Sequence, residues 1–372
     1  MSTIIQWFTT LSLVFGGCCS NAVTLEQLTS EYPQAGSLIT LFQFVLISLN
    51  GLRKNVIWTS HGPRFRTRRI PLTRYIVMVA LHYTISLLNN AAFAYHIPMA
   101  VHVIFRSSGL VISMLLGWIT SGKKYNVAQV LSVVVVSVGV ALTTFSASPS
   151  HVASAEAVDA RTYALGIGIL LLALFLAGFL GLAQERTYFR YAHGGDPNVP
   201  IWQESMFYLH FMALPMFYSV RADLSAQIRA LNAAAPLSLS ISLPHVIPPT
   251  MTIGPGLLPF KVFVTSRQPV FWLKLPIPAP YVPLVLNTAT QLICSMGVNK
   301  LTTTVSSLTV TLILVVRKAV SLILSVMGFG NSRGPVDIVM LLSGAGLVML
   351  GTVGYAFGSS LSKREATRRK RD

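Results

Sequence analysis

The sequence is poor in acid. It has 11 Asp and Glu against 28 Lys and Arg, and charged residues of all kinds make up only 10% of its 372 positions. A soluble domain carries about 25% charged residues, so a water-surrounded globule is excluded. No Asp or Glu stands well inside a long apolar run; Glu185 and Glu204 lie at run ends. Intramembrane carboxylate pairs for acid–base work are therefore missing. A Walker loop and an H-E-x-x-H helix are missing as well. These gaps leave no case for an enzyme, exclude primary pumping driven by nucleotide hydrolysis, and call for no cofactor or metal. Cysteine is scarce too, at Cys18, Cys19 and Cys294. Three cysteines without regular spacing make neither a disulfide framework nor a zinc site, and they read as small packing residues. The opening stretch "MSTIIQWFTTLSLVFGGCCSN" has no Lys or Arg before its apolar run. It therefore reads as a retained first span and not as a signal peptide.

What the chain has in quantity is apolar length. Hydrophobic residues make up 53%, and the mean hydropathy is +0.63. Runs of about 17–25 apolar residues can each cross a bilayer as a helix. Ten such runs occur, at roughly 4–23, 36–53, 73–94, 98–120, 127–147, 162–184, 203–220, 281–299, 303–328 and 336–358. The seventh is the weakest, because it carries polar residues and Pro215. The expected fold is an all-α membrane protein of ten transmembrane helices.

The net charge of +17 does not point to nucleic acid, because the basic residues sit in short clusters between apolar runs, as in "RFRTRRIPLTR" and "KREATRRKRD". Such clusters mark the cytosolic side of a membrane protein. With both termini in the cytosol, 18 Lys and Arg fall on cytosolic connections and 7 on the other side. Five of those seven lie in the Pro-rich stretch 221–280. That stretch is expected to be an irregular lumenal loop resting on the membrane surface.

The second half echoes the first. "FRSSGLVISMLLGW" (105–118) aligns without gaps on "VRKAVSLILSVMGF" (316–329), placing Arg106 on Arg317 and Gly117 on Gly328. An odd number of spans per half inserts the halves in opposite orientation, which is a transporter architecture with its substrate site at the repeat interface. The expected division is residues 1–150 as the first five-helix repeat, 161–360 as the second, and 361–372 as a basic cytosolic tail.

Arg106, Arg317 and Lys318 lie inside apolar runs. Charge in hydrocarbon costs a few kcal/mol or more, so these residues either await an anion in a watery cavity or are spent on carbonyls and Glu185. The planar fork of arginine suits phosphate. Asn89 and Asn90 end the third run, and His102 precedes Arg106 by one helical turn. Asn287 and Gln291 share a helix face at i, i+4. Their amides either read a uracil edge and sugar hydroxyls or tie helices together.

Several stretches, "GGCCSN" (16–21), "NNAAFAYHIPMAVHVIFRSSGLVISMLLG" (89–117), "SVGVALTTFSA" (137–147) and "SLTVTLILVVRKAVSLILSV" (307–326), resemble the UDP-N-acetylglucosamine transporter family. That family belongs to the nucleotide-sugar transporters of the drug/metabolite transporter superfamily. The resemblance is greatest to the branch carrying UDP-xylose and UDP-N-acetylglucosamine in the ER and Golgi. It implies a ten-span antiporter that exchanges cytosolic UDP-sugar for lumenal UMP, as a monomer or homodimer. It also implies that Arg106, Arg317 and Lys318 contact phosphate. "GLAQERTYFRY" (181–191), with Gln184 and Glu185, is similar to the family's segment after span six. Asn299 and Lys300 in "GVNKL" resemble part of the "GALNK" motif of GDP-mannose transporters, whose other halves are missing here. Related branches carry adenine nucleotides or 3′-phosphoadenosine 5′-phosphosulfate, the alternative substrates. A non-transporting membrane scaffold is the alternative of another class. The tail "RRKRD" is neither a KDEL signal nor a clean dilysine, so ER and Golgi are not separated.

Overall fold

The computed structural model describes residues 3–32, 34–60, 62–92, 108–146, 160–192, 199–242, 260–265, 268–324 and 337–368. The chain opens with α1 (Thr3–Ser12), a π-helical turn over Leu13–Gly17, and α2 (Cys18–Glu31). There follow α3 (Gly36–Asn55), strands β1 (Val56–Thr59) and β2 (Gly62–Phe65), α4 (Leu72–Ala92), α5 (Gly109–Ser121), α6 (Val127–Ser146), α7 (Ala160–Arg190) and α8 (Ile201–Ala213). A 3₁₀ turn over Leu214–Val220 leads into α9 (Arg221–Asn232), then β3 (Pro236–Ser242), β4 (Phe260–Thr265) and β5 (Gln268–Pro278). The chain closes with α10 (Tyr281–Thr302), α11 (Ser307–Leu324) and α12 (Ile338–Arg368). The protein is thus mostly helical. Among the described residues, six helices are long and apolar enough to cross a membrane, within Ile4–Thr29, Gly36–Asn55, Val127–Ser146, Ala164–Arg190, Tyr281–Thr302 and Ile338–Ser360.

Helices suit this composition because a helix satisfies its own backbone groups where no water is available. Polar side chains on them turn inward on the ladder. The hydroxyls of Ser132, Thr288 and Thr311 donate to the carbonyls of Ala128, Leu284 and Ser307 at 2.6, 2.7 and 2.9 Å, which hides each donor at little cost. Pro215 has no N–H, and the α-ladder of α8 gives way to the 3₁₀ turn just before it.

Small residues let the helices approach. On α6 and α12, a Cβ added at Gly139 would lie 2.6 Å from the Gly344 carbonyl oxygen, and one at Gly344 would lie 2.8 Å from that of Gly139. The same device joins the first helix to α10. A Cβ at Gly17 would meet the Cys294 nitrogen at 2.7 Å, and one at Gly297 the Val14 nitrogen at 2.7 Å.

That close crossing overturns the reading of the cysteines as separate packing residues. Cys18 and Cys294 form a disulfide across 276 residues of chain, with Cα atoms 4.5 Å apart. Cys19 stays free and buried. Spacing along the chain says nothing of a contact made by two helices.

The expectation for 221–280 is corrected as well. The described residues of this stretch form helix α9 and an antiparallel sheet of order β3-β5-β4 in place of an irregular loop, while 243–259 and 266–267 lie outside the described residues. The prolines that suggested irregularity stand partly at strand ends, where Pro236 pairs with Pro278 and no central ladder bond is lost.

Between α3 and α4 the hairpin β1–β2 turns through Gly62, whose φ of 103° favours glycine. The segment after it is pinned to α8 by Glu204, which is 3% exposed. Its carboxylate accepts N–H bonds from Arg69 and Ile70 at 3.0 and 3.1 Å, and the Tyr75 hydroxyl at 3.1 Å.

Candidate functional site

Arg317 sits in the middle of α11, where α11 meets α2 and α5. The run of Val, Leu and Ile around it forms the helix, and the basic residue interrupts an apolar face. Its guanidinium Nε is buried and has no hydrogen-bond partner. A buried donor without a partner costs about 1–3 kcal/mol, more on a charged group. Beside it lies the free thiol of Cys19, which accepts the Ser321 hydroxyl at 3.2 Å, one turn further along α11. Lys318, the next residue, is exposed and points elsewhere, as the 100° step of a helix requires.

Among the described residues, Glu185 is engaged away from Arg317. It forms an ion pair with Lys123, and its other oxygen accepts the Ser307 backbone N–H at 2.9 Å. Lys123 is delivered there by the end of α5. Gly122, at φ 60°, lets the chain turn back, and Lys123 N–H bonds the Gly117 carbonyl at 3.2 Å. Thus one carboxylate holds together the ends of α5 and α7 and the start of α11. Gln184 is half-buried next to it.

Asn287 is fully buried and engaged by its neighbours. It accepts from Gln43 Nε2 at 2.7 Å and donates to Asn21 Oδ1 at 3.0 Å and Thr24 Oγ1 at 3.1 Å. Of its two possible uses, the structure displays the tie between helices. Gln291 donates to Ser295 Oγ at 3.4 Å, and Asn299 Nδ2 to the Ser295 carbonyl at 2.8 Å, both within α10. Lys300 lies in the last turn of that helix, half-buried.

A cavity of about 670 Å³ opens between α3, α4, α7 and the 3₁₀ turn, within the range of small-ligand sites. Its walls are mostly apolar, with Ser37, Thr40, His82, Tyr83, Ser86 and Asn89 as polar groups. Among the described residues, Asn89 is the one expected site residue that lines it; neither Arg317 nor Lys318 does. Arg106, His102 and the side chain of Asn90 lie outside the described residues.

The sequence matches the UAA transporter family over residues 6–359. The chain belongs to the UAA transporter family. Its relatives include the UDP-N-acetylglucosamine transporter slc35b4 of Dictyostelium discoideum, 32% identical, with 93% of this chain and 90% of the relative aligned. The UDP-xylose and UDP-N-acetylglucosamine transporter of Danio rerio is 34% identical, over 93% of this chain and 92% of that one. The UDP-N-acetylglucosamine transporter yea4 of Schizosaccharomyces pombe is 34% identical, over 95% and 96%. The family is one of transporters, not enzymes.

Within this UAA family member, sequence reasoning missed two parts of the site region. The Lys123–Glu185–Ser307 junction was hidden because its acid and base stand 62 residues apart; only their shared place at helix ends hinted at it. The Cys19–Ser321 contact at Arg317 left no signal in the chain order.

Proposed function

We propose that this protein is a nucleotide-sugar antiporter that moves UDP-N-acetylglucosamine, and other UDP-sugars such as UDP-xylose, from the cytosol into the ER or Golgi lumen in exchange for UMP. The observation that carries the reading is the buried, unpartnered Nε of Arg317 in mid-helix. Such a group is completed by an anion with paired oxygens, and a diphosphate or UMP phosphate supplies them. The names of relatives aligned over more than nine-tenths of this chain point to the same ligand class. Arg106 and Lys318 join Arg317 in this reading as phosphate contacts. The uncharged cavity with Asn89 fits the nucleoside or sugar end.

The architecture proposed is ten spans in two inverted repeats, with both termini cytosolic. Helix pairing supports it. Number the spans so that span one is α1–α2 and the others are α3, α4, α5, α6, α7, α8, α10, α11 and α12. Exchanging each span with the one five places on returns the pairs α3–α8, α5–α11 and α6–α12 to themselves. The same exchange turns α4–α7 into α10–α2, α5–α7 into α11–α2, and α4–α8 into α10–α3, all of which are in contact. An inverted repeat produces this pattern, and the ligand of such a carrier sits at the repeat interface.

Counterflow in liposomes tests the function. Uptake of labelled UDP-N-acetylglucosamine is expected to rise when the vesicles are preloaded with UMP. Equal uptake into empty and loaded vesicles rules out obligatory exchange.

A further inference from the structure

No residue of the hairpin β1–β2 is among the described residues that line the cavity, yet it is built. Helix α3, long and apolar enough to cross a bilayer, ends at Asn55, and β1 begins at the next residue. The hairpin therefore stands where the chain leaves the membrane. Its register pairs Val56 with Phe65, Ile57 with Arg64, and Trp58 with Pro63. Opposed residues share a face of a ladder, so Val56, Phe65, Trp58 and Pro63 make one face and Ile57 and Arg64 the other. The first face is fixed to the protein at one end. The Phe65 ring lies 6.2 Å from those of Phe207 and Phe211 on α8. At its other end Trp58 is 83% exposed.

Basic residues flank this hairpin along the chain. Arg53, Lys54, Arg64, Arg68 and Arg74 are all exposed. The chain holds no Asp or Glu between Glu31 and Glu156, and Glu204 is occupied by Arg69, Ile70 and Tyr75. Arg53, Lys54, Arg64 and Arg74 have no carboxylate partner among the described residues. Tryptophan favours the headgroup level of a bilayer, and juxtamembrane basic clusters attract anionic lipid.

We propose that the β1–β2 hairpin is a lipid anchor: Trp58 enters the interfacial layer while Arg53, Lys54, Arg64 and Arg74 hold the headgroups of anionic phospholipid. The occupant is the membrane surface, because the segment from Arg53 to Arg74 is basic and free of Asp and Glu, carries an exposed aromatic, and adjoins a spanning helix.

The test uses full-length protein in nanodiscs of phosphatidylcholine with and without phosphatidylserine, with acyl chains brominated near the headgroup. The emission lost in Trp58→Phe, taken as wild type minus variant, is expected to be blue-shifted and quenched by the brominated lipid. Neutralising Arg53, Arg64 and Arg74 with glutamine should lower the preference for phosphatidylserine by roughly fivefold per charge removed. The preference should also weaken with salt. All four side chains are exposed, so melting temperature in detergent should hold and serves as the folding check. Red-shifted, unquenched Trp58 emission overturns the anchor. So does a triple variant that keeps its lipid preference, or one that slows UDP-N-acetylglucosamine uptake equally in pure phosphatidylcholine, which assigns the arginines to the substrate. Loss of a dimer on Trp58→Phe, read by mass photometry, overturns it in favour of a second copy of the chain.

Discussion

Glu185 on α7 reaches Lys123 with one carboxylate oxygen and the Ser307 N–H with the other. The pair is only partly screened, since the Glu185 side chain is 12% exposed and that of Lys123 is 33%. Its field extends to Tyr125, in the turn between α5 and α6. Burial, reinforced by the negative charge of Glu185, pushes that phenol's pKa up.

The junction yields the first prediction. Glu185→Ala strands both the Lys123 ammonium and the Ser307 N–H, whereas Lys123→Ala strands one carboxylate oxygen and keeps the Ser307 bond, so the first is expected to lower the melting temperature more. The double variant should fall short of the sum, with a coupling of about 0.5–3 kcal/mol. A double-mutant cycle of thermal stability in detergent measures it, and strict additivity refutes the pairing.

Arg317→Ala should weaken UMP binding while the protein still folds. A charged hydrogen bond is worth about 1.5–3 kcal/mol, so the loss should be roughly tenfold to a hundredfold. Arg317→Lys should recover part, since a point charge cannot replace a planar fork. The readout is the UMP-dependent rise in melting temperature, because a ligand stabilises the state that binds it. A wild-type rise in the alanine variant removes Arg317 from the site.

Asn287→Ala should act in the opposite way. It leaves Gln43, Asn21 and Thr24 short of a buried partner, at about 1–3 kcal/mol for each stranded group. Expression and melting temperature should fall, and UMP affinity in the folded fraction should hold. A loss of affinity at full stability would make Asn287 a substrate reader instead.

The disulfide is checked by peptide mapping without reductant, where a fragment joining Cys18 to Cys294 is expected. Cys18→Ser and Cys294→Ser should then cost the same stability, and the double variant no more than either, because one bond is lost in every case. Such a bond contributes about 2–4 kcal/mol.

Topology gives a fifth test. In sealed microsomes, protease added outside should remove tags at both termini and spare one placed within 221–280. Equal access to all three sites overturns the ten-span arrangement.

Six of the expected runs coincide with helices long and apolar enough to cross a membrane among the described residues. They were legible in the chain because each helix must meet the bilayer on its own: twenty apolar residues are a local property, and so is an arginine such as Arg317 among them. Helices occupy most of the described part of each expected run, from the first to α12. Less legible was the stretch after Val220, where proline read as an irregular loop and the paired residues of β3 and β5 stand 28 to 42 positions apart.

Partnerships were not legible at all. Asn287 had two chemically equal uses until α2 and α3 were placed against it, bringing Asn21, Thr24 and Gln43 within hydrogen-bond reach. Glu185 was as suitable for Arg317 as for Lys123 until the end of α5 brought Lys123 to it. Cys18 and Cys294 became a pair only because Gly17 and Gly297 let two helices touch. Hydropathy acts on each segment separately, so the sequence by itself determined the membrane class, the helices and the buried cation. Hydrogen bonds and ion pairs act over about 3–4 Å between segments and a disulfide over about 2 Å, so only the tertiary structure could decide which groups were spent on the fold and which, like the Nε of Arg317, were left open.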